Sequence, residues 1–226
     1  MKVTKSILER KSVRAYTDEL VDDALIYSLL EKAAQAPSGG NLQPWRIQTL
    51  NHEEIKQFLQ FQEDYAKEHT SDYSIYPENL KEPYHSSRKL VGEQMYSLIG
   101  ISRDDKEARI NQVLKNFSFF GAPAALFCLI DRQMGPPQWS DLGMFLQSFM
   151  LLAYEAGLGT CAQEAWSTRS GMIKDFFNID DNYLLFCGVA IGYADLNHPI
   201  NQLKTIRQPL SEWVNLGRLT QTEDKE

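Results

Sequence analysis

Between Ala36 and Trp45 the chain reads Ala-Pro-Ser-Gly-Gly-Asn-Leu-Gln-Pro-Trp, a stretch through which no helix or strand can run unbroken. Pro37 drives the residue before it out of the helical region, so the amphipathic run that precedes it must stop. Gly39 and Gly40 together let the backbone take φ > 0 and come close to a bound group. Ser38, Asn41 and Gln43 place short hydrogen-bonding groups on the turn, and Trp45 ties its far end to an apolar layer. Upstream, Arg10-Lys11-Ser12-Val13-Arg14 gathers cations and a hydroxyl. Alone, such a run reads as a surface basic cluster. Beside a bare Gly/Ser/Asn turn, it suggests donors for a phosphate next to a seat for a planar polar ligand, which is a cofactor site.

The rest of the chain reads as a frame for that site. A short helix is expected over 4–11, with Thr4 as N-cap and Ile7 and Leu8 facing inward. Asp22 caps a second helix carrying Leu25, Ile26, Leu29, Leu30, Ala33 and Ala34 at helical spacing. A strand follows over 46–50, and Asn51 with Glu54 forms a capping box for a helix reaching about Phe61. From 62 to 105 the periodicity fades among tyrosines, charges, Pro77 and Pro83. This excursion is either a lid or an interface segment whose tyrosines pack. Regular structure resumes with a helix over 106–119, a Gly121-Ala122-Pro123 break and a strand over Ala124–Ile130. Ser140 or Asp141 should cap a long helix through Ala156, apolar all round except for Gln147 and Glu155, which puts it at the centre of the fold or at a subunit contact. Gly157 and Gly159 end it. An extended piece over 160–163, a helix over 169–177 and a buried strand over 184–191 complete the regular structure. Gly188-x-x-x-Gly192 lies within and at the end of that strand, the wrong place for a nucleotide loop. Past Pro199 an extended arm keeps Arg207, Pro209, Leu210 and Trp213, anchors that suit a partner subunit. The reading is one domain over 1–217 with a polar tail over 218–226.

At 226 residues one well-buried core is the natural outcome, and the net charge of −7 argues against a duplex-binding surface or an anionic membrane patch. No apolar run reaches membrane-spanning length. Cys128, Cys161 and Cys187 fit neither a zinc pattern nor a disulfide framework, and they read as buried thiols of a cytoplasmic protein. The histidines lie in polar contexts, no Gly-x-Ser-x-Gly elbow occurs, and there is no P-loop. Acid–base, metal and phosphoryl-transfer chemistry all lack parts, so an enzyme of this sequence would take its reactivity from a cofactor.

These segments, in this order, resemble the FMN-dependent nitroreductase family. The likeness is carried by Arg10 to Arg14, Ala36 to Trp45, Gln147 with Gly157-Leu158-Gly159-Thr160-Cys161, and Lys204-Thr205-Ile206-Arg207-Gln208-Pro209-Leu210. The middle, Phe117 to Ile130 and Gly135 to Leu146, is similar to the nitrobenzoate-reductase-like branch. The resemblance implies an α+β fold, a mainly antiparallel sheet flanked by helices, in a homodimer with FMN at the interface and a C-terminal arm exchanged between subunits. It implies that Arg10, Ser12 and Arg207 hold the FMN phosphate, with Lys11 contributing backbone or charge, that Arg14 lies beside the ring edge that becomes negative on reduction, and that Lys204 belongs to the cofactor site. Pro37, Ser38, Gly39 and Asn41 would meet the ring from the other subunit, Gln43 and Gln147 would join the cofactor site, and Gln163, Glu164 and Ala165 would face the ring's hydride-carrying nitrogen through their backbone. The implied activity is ping-pong hydride transfer from NADH or NADPH through the flavin to nitroaromatic or quinone-type small molecules, with no catalytic side chain, metal, nucleic acid or membrane. A non-catalytic FMN-binding or redox-sensing dimer and a reductive dehalogenase-type relative stand as alternatives.

Overall fold

Residues 124–130 are buried without exception, which a strand achieves only when both its faces are covered. In the computed structural model, which describes residues 2–215, they lie in β2 (Ala124–Asp131), inside a four-stranded sheet. β1 (Trp45–Leu50) flanks β2 on one side; on the other come β4 (Tyr183–Gly192) and then β3 (Gly159–Gln163) at the edge. Every pairing in this β1-β2-β4-β3 order is antiparallel. Around it lie α1 (Val3–Glu9), α2 (Asp23–Ala33), α3 (His52–Asp64), α4 (Tyr84–Leu98), α5 (Lys106–Leu114), α6 (Pro136–Glu155) and α7 (Ser170–Phe177). This is the expected α+β arrangement. The polar tail expected over 218–226 lies outside the described residues.

Alternation along β2 sorts the core into two layers. Leu126, Cys128 and Ile130 meet Ile26 and Leu29 of α2 and Leu142, Phe145 and Phe149 of α6. Ala125, Phe127 and Leu129 face the other way, onto Phe58 of α3, Phe119, Trp166 and Met172. Trp166 is fully buried, with its ring 4.7 Å from that of Phe119 and 5.5 Å from that of Phe58. A Cβ on Gly188 would come within 2.4 Å of Trp166 Cδ1, so that glycine is room for an indole. Trp166 thereby nails the 3₁₀ turn Glu164–Arg169 to the sheet.

Local signals account for most helix starts. The Asn51–Glu54 capping box forms in both directions, and Asp22 accepts the Ala24 N–H at 2.9 Å. α6 corrects the expected cap at Ser140 or Asp141: Gly135 is its N-cap, and two prolines occupy the first turn, where a missing N–H leaves nothing unsatisfied. α1 corrects two more expectations, since Lys2 and not Thr4 precedes it and only Ser6 is buried. Ile7 and Leu8 are 53% and 77% exposed, because α1 lies on α6 through its Ser6 side and leaves its apolar positions on the surface.

The patternless 62–105 stretch contains α4, which has no buried residue and therefore no apolar stripe to read. The coil before it is pinned to the sheet rather than loose. Thr70 O accepts the Ser170 N–H at 3.0 Å, and the Tyr73 hydroxyl donates to Phe186 O. Asp72 Oδ1 meets Arg132 at 2.6 Å and Lys174 at 3.2 Å, while its Oδ2 accepts the Leu185 N–H at 3.0 Å. The helix expected over 106–119 ends at Leu114 and passes into a corner where Phe119, Phe120 and Gly121 all take positive φ. At the other end of the chain, Ile206, Leu210 and Trp213 of the arm are 67%, 54% and 66% exposed.

Candidate functional site

Arg10 to Arg14 leave α1 and run along the open edge of the sheet. Ser12 bridges Thr160 of β3 in parallel, and the Val13 N–H donates to Thr160 O at 2.9 Å. Arg10 therefore sits near the start of β3, and Arg14 lies further along toward Gln163–Ala165. Contact there is tight: a Cβ on Gly159 would come within 2.6 Å of Val13 Cγ2. Asn201, buried in the 3₁₀ turn Pro199–Gln202, bolts the segment from behind. Its Oδ1 accepts the Arg14 N–H at 2.9 Å, its Nδ2 donates to Ala15 O and Asp195 O at 2.8 Å, and its carbonyl accepts the Lys11 ammonium. Nothing in the sequence singles out Asn201, since its role depends on a meeting across almost the whole chain. Lys11 thus spends its side chain on the frame.

Because Val13 fills the space a side chain on β3 would need, Gly159→Ala should push the Arg10–Arg14 segment off the sheet edge. The expected cost is about 1–3 kcal/mol of stability, the range for overpacking, with loss of any ligand the segment holds. Thermal unfolding with ligand titration checks this, and a variant normal in both would mean that the seam gives way freely.

The cations of this strip are unusually placed. Arg10 is half-buried, and its Nε has no hydrogen-bond partner among the described residues. Burial, then the nearby Arg207 guanidinium, lowers the Arg10 pKa. Arg207 is exposed and turns back on its own arm, donating to Thr205 Oγ1 at 2.5 Å. Arg14 has one long guanidinium hydrogen bond, to Ser12 O at 3.5 Å. Among the described residues none of the three forms an ion pair with a carboxylate. Lys204 is likewise exposed. Burial raises the Cys161 thiol pKa against the opposing pull of Arg14, Ser12 and Arg10, so the sulfur stays protonated. Two neighbouring guanidiniums, an orphaned buried N–H and a nearby hydroxyl match a phosphate monoester, which offers an acceptor to each donor.

β3 then delivers Gln163, Glu164 and Ala165. The Gln163 side chain is buried and committed, donating to Asn116 O at 2.8 Å and accepting from Trp166 Nε1 at 3.4 Å. Only its backbone remains for a ligand. Glu164 has its carboxyl pKa raised by desolvation alone.

The Pro37–Gln43 turn lies apart from this strip, on the first turns of α6. The Gly39 N–H donates to the buried Asp141 Oδ2 at 3.1 Å, and Trp45 stacks on Phe145 with ring centroids 5.0 Å apart. Positive φ falls at Gly40 (58°), Asn41 (56°) and Gln43 (49°), while Gly39 stays outside the left-handed region. Ser38 Oγ accepts the Gln43 N–H, and Gln43 Nε2 donates to Asn41 O, both at 3.1 Å, so Gln43 serves the turn itself. Gln147, half-buried on α6, makes no hydrogen bond among the described residues. Within one chain no hydrogen bond or ion pair joins this turn to the Arg10–Arg14 strip.

An antiparallel α+β sheet with a guanidinium-lined edge and a separate bare turn defines a class that comparison identifies. The family model described as the nitroreductase family matches residues 7–193, and the chain belongs to that family. It is 35% identical over 204 residues to a 4-nitrobenzoate reductase of Pseudomonas putida, covering 89% of each chain. It is 29% identical over 212 residues to a nitrobenzene nitroreductase of Ectopseudomonas oleovorans, covering 92% of this chain and 93% of the relative. Among solved structures, an FMN- and NADPH-dependent nitroreductase NfnB from Sphigopyxis sp. strain HMH superposes with a TM-score of 0.91 at 40% identity, covering 96% of this chain and 99% of that one.

Proposed function

We propose that this chain is an FMN-dependent NAD(P)H oxidoreductase that reduces nitroaromatic or quinone-type acceptors. The observation that carries this reading is the half-buried Arg10, its Nε without a partner among the described residues and its charge disfavoured by burial and then by a second guanidinium. Such an arrangement is costly unless an anion completes it. Bound FMN would supply the two-electron hydride chemistry; the protein's part is to hold, orient and shield. Arg10, Ser12 and Arg207, with Lys204 near the arm, grip the phosphate. Arg14 offers a positive charge along the ring, favouring the reduced, anionic form electrostatically. Gln163, Glu164 and Ala165 present backbone to the ring on a turn immobilised by Trp166, and Gln147 brings an uncommitted amide.

The Pro37, Ser38, Gly39 and Asn41 turn reaches a ring only across a dimer, because it and the phosphate strip do not meet in one chain. Exposed Ile7 and Leu8 of α1, Met144 of α6 and the apolar anchors of the arm support such a homodimer, with the arm exchanged between subunits. Among the described residues no helix is long and apolar enough to cross a membrane. Three buried free cysteines suit a reducing, cytoplasmic setting.

The test is optical. Purified protein reconstituted with FMN should retain the flavin through gel filtration at the volume of a dimer. Anaerobic NADPH or NADH should bleach its visible band, and nitrobenzoate or a quinone should restore it. Protein that retains no flavin, or a band that neither donor bleaches, would overturn the proposal.

A further inference from the structure

The 3₁₀ turn that begins at Glu164 ends at Arg169, about 10 Å further on at roughly 2 Å per residue. Arg169 is half-buried and lies over the face of Phe117 with its guanidinium carbon 3.6 Å from the ring centroid. Phe117 follows Asn116, whose carbonyl accepts from Gln163, so this cation is built onto the segment that presents backbone to the ring. No carboxylate or hydrogen-bond acceptor meets Arg169 among the described residues, and burial lowers its pKa. Burial, then the Arg169 charge, lowers the His69 pKa, and the His69 ring is stacked on Tyr65 with centroids 5.8 Å apart at 8°. The result is a cation with its donor edge unspent, seated on the face of Phe117, one short turn beyond the proposed ring site.

We infer that Arg169, with His69 beside it, receives a phosphate of the nicotinamide dinucleotide donor. This rests on the reading of the chain as an FMN-dependent reductase. A dinucleotide whose nicotinamide lies against the ring must carry its phosphates outward across the surrounding protein, and a guanidinium takes such a group through two parallel N–H donors. The aromatic floor holds the cation in place, so little side-chain freedom is lost on binding. An acceptor such as a nitrobenzoate has no phosphate and would leave Arg169 unused. The inference therefore separates the two substrates of one site.

The test compares wild type with Arg169→Gln and Arg169→Lys, each loaded with FMN. Arg169→Gln should raise KM for NADPH about tenfold or more, the size of one charge-assisted contact, with KM for nitrobenzoate, FMN retention and the thermal midpoint unchanged. Binding of NADP+ measured by titration calorimetry should weaken by the same factor, and Arg169→Lys should recover part of the loss. Weakening confined to NADPH and NADP+ identifies the 2′-phosphate as the group held; equal weakening for NADH and NAD+ identifies the pyrophosphate, and both support the inference. A flavin-loaded Arg169→Gln protein with unchanged constants for all dinucleotides overturns it, as does one whose nitrobenzoate KM rises equally. Protein that takes up no flavin overturns the broader reading first, a result visible before any variant is made.

Discussion

Arg10→Ala should release FMN while leaving the apoprotein no less stable than wild type. In the wild-type chain the Arg10 guanidinium is half-buried, its Nε is unpartnered, and Arg207 opposes its charge. With alanine there, the folded chain is relieved of a desolvated cation, but the phosphate loses a charge-assisted contact worth about 1.5–3 kcal/mol, or about tenfold to 150-fold in affinity. Arg10→Lys should recover only part of this, because an ammonium keeps the charge without the planar fork. Flavin dissociation constants from fluorescence quenching, paired with apoprotein melting, separate the two effects. Unchanged FMN affinity would place the phosphate elsewhere. A large fall in apoprotein stability would instead make Arg10 a structural residue.

Asp72→Ala should cost more, about 3–5 kcal/mol of folding stability, the range for stripping one member from a buried ion pair. The Asp72 side chain is 6% exposed and that of Lys174 8%, so removing the carboxylate leaves the Leu185 N–H without its acceptor and the Lys174 ammonium with only the solvent-exposed Asp181, 3.6 Å away. Adding Lys174→Met should restore part of the loss, since the apolar side chain no longer needs a counter-charge. The pH dependence has a definite sign. Burial alone would raise the Asp72 pKa, but the Leu185 N–H, Arg132 and Lys174 outweigh it and bring the native value below 3.8. A carboxyl depressed by folding contributes stability that is full above its unfolded pKa and is lost as pH falls through the native one. The gap between wild type and Asp72→Ala should therefore be widest near neutral pH and narrow in acid. Urea melts at neutral pH and in acid measure it, and a gap below 1 kcal/mol at pH 7 would reduce the cluster to a solvent-screened contact.

What could be read from the sequence followed from how local its cause was. The Asn51–Glu54 box, the Asp22 cap and the strands in the 124–131 and 183–192 regions are decided within a few neighbouring residues. The start of α6 was misplaced because Ser140 and Asp141 have the chemistry of a cap, whereas Gly135 and its two prolines act through backbone alone. α4 left no trace, since a helix that buries nothing has no reason to repeat apolar residues. Ile7 and Leu8 show the converse: the period is there, but among the described residues no surface covers it. At the candidate site, Arg10, Ser12 and the Gly39–Gly40 turn were legible as donors and a bare bend. Asn201 and Asp141 were not, because each acts on a backbone group more than a hundred residues away. Gln163 is expected to meet the cofactor through its backbone, and its side-chain amide is taken up by Asn116 and Trp166.

The seam between Ser12 and Thr160 also bears on how this protein survives without its ligand. β3 is the last strand of its sheet, and an unshielded outer strand is a template on which a second polypeptide can add itself. The basic strip that would grip a coenzyme's tail is at the same time the guard on that border, joined to it by a single bridge that includes the Val13 N–H. Whatever steadies the strip keeps the border closed. Protein stripped of FMN should then reveal this first as aggregation, followed by light scattering, ahead of any change in the melting of the interior.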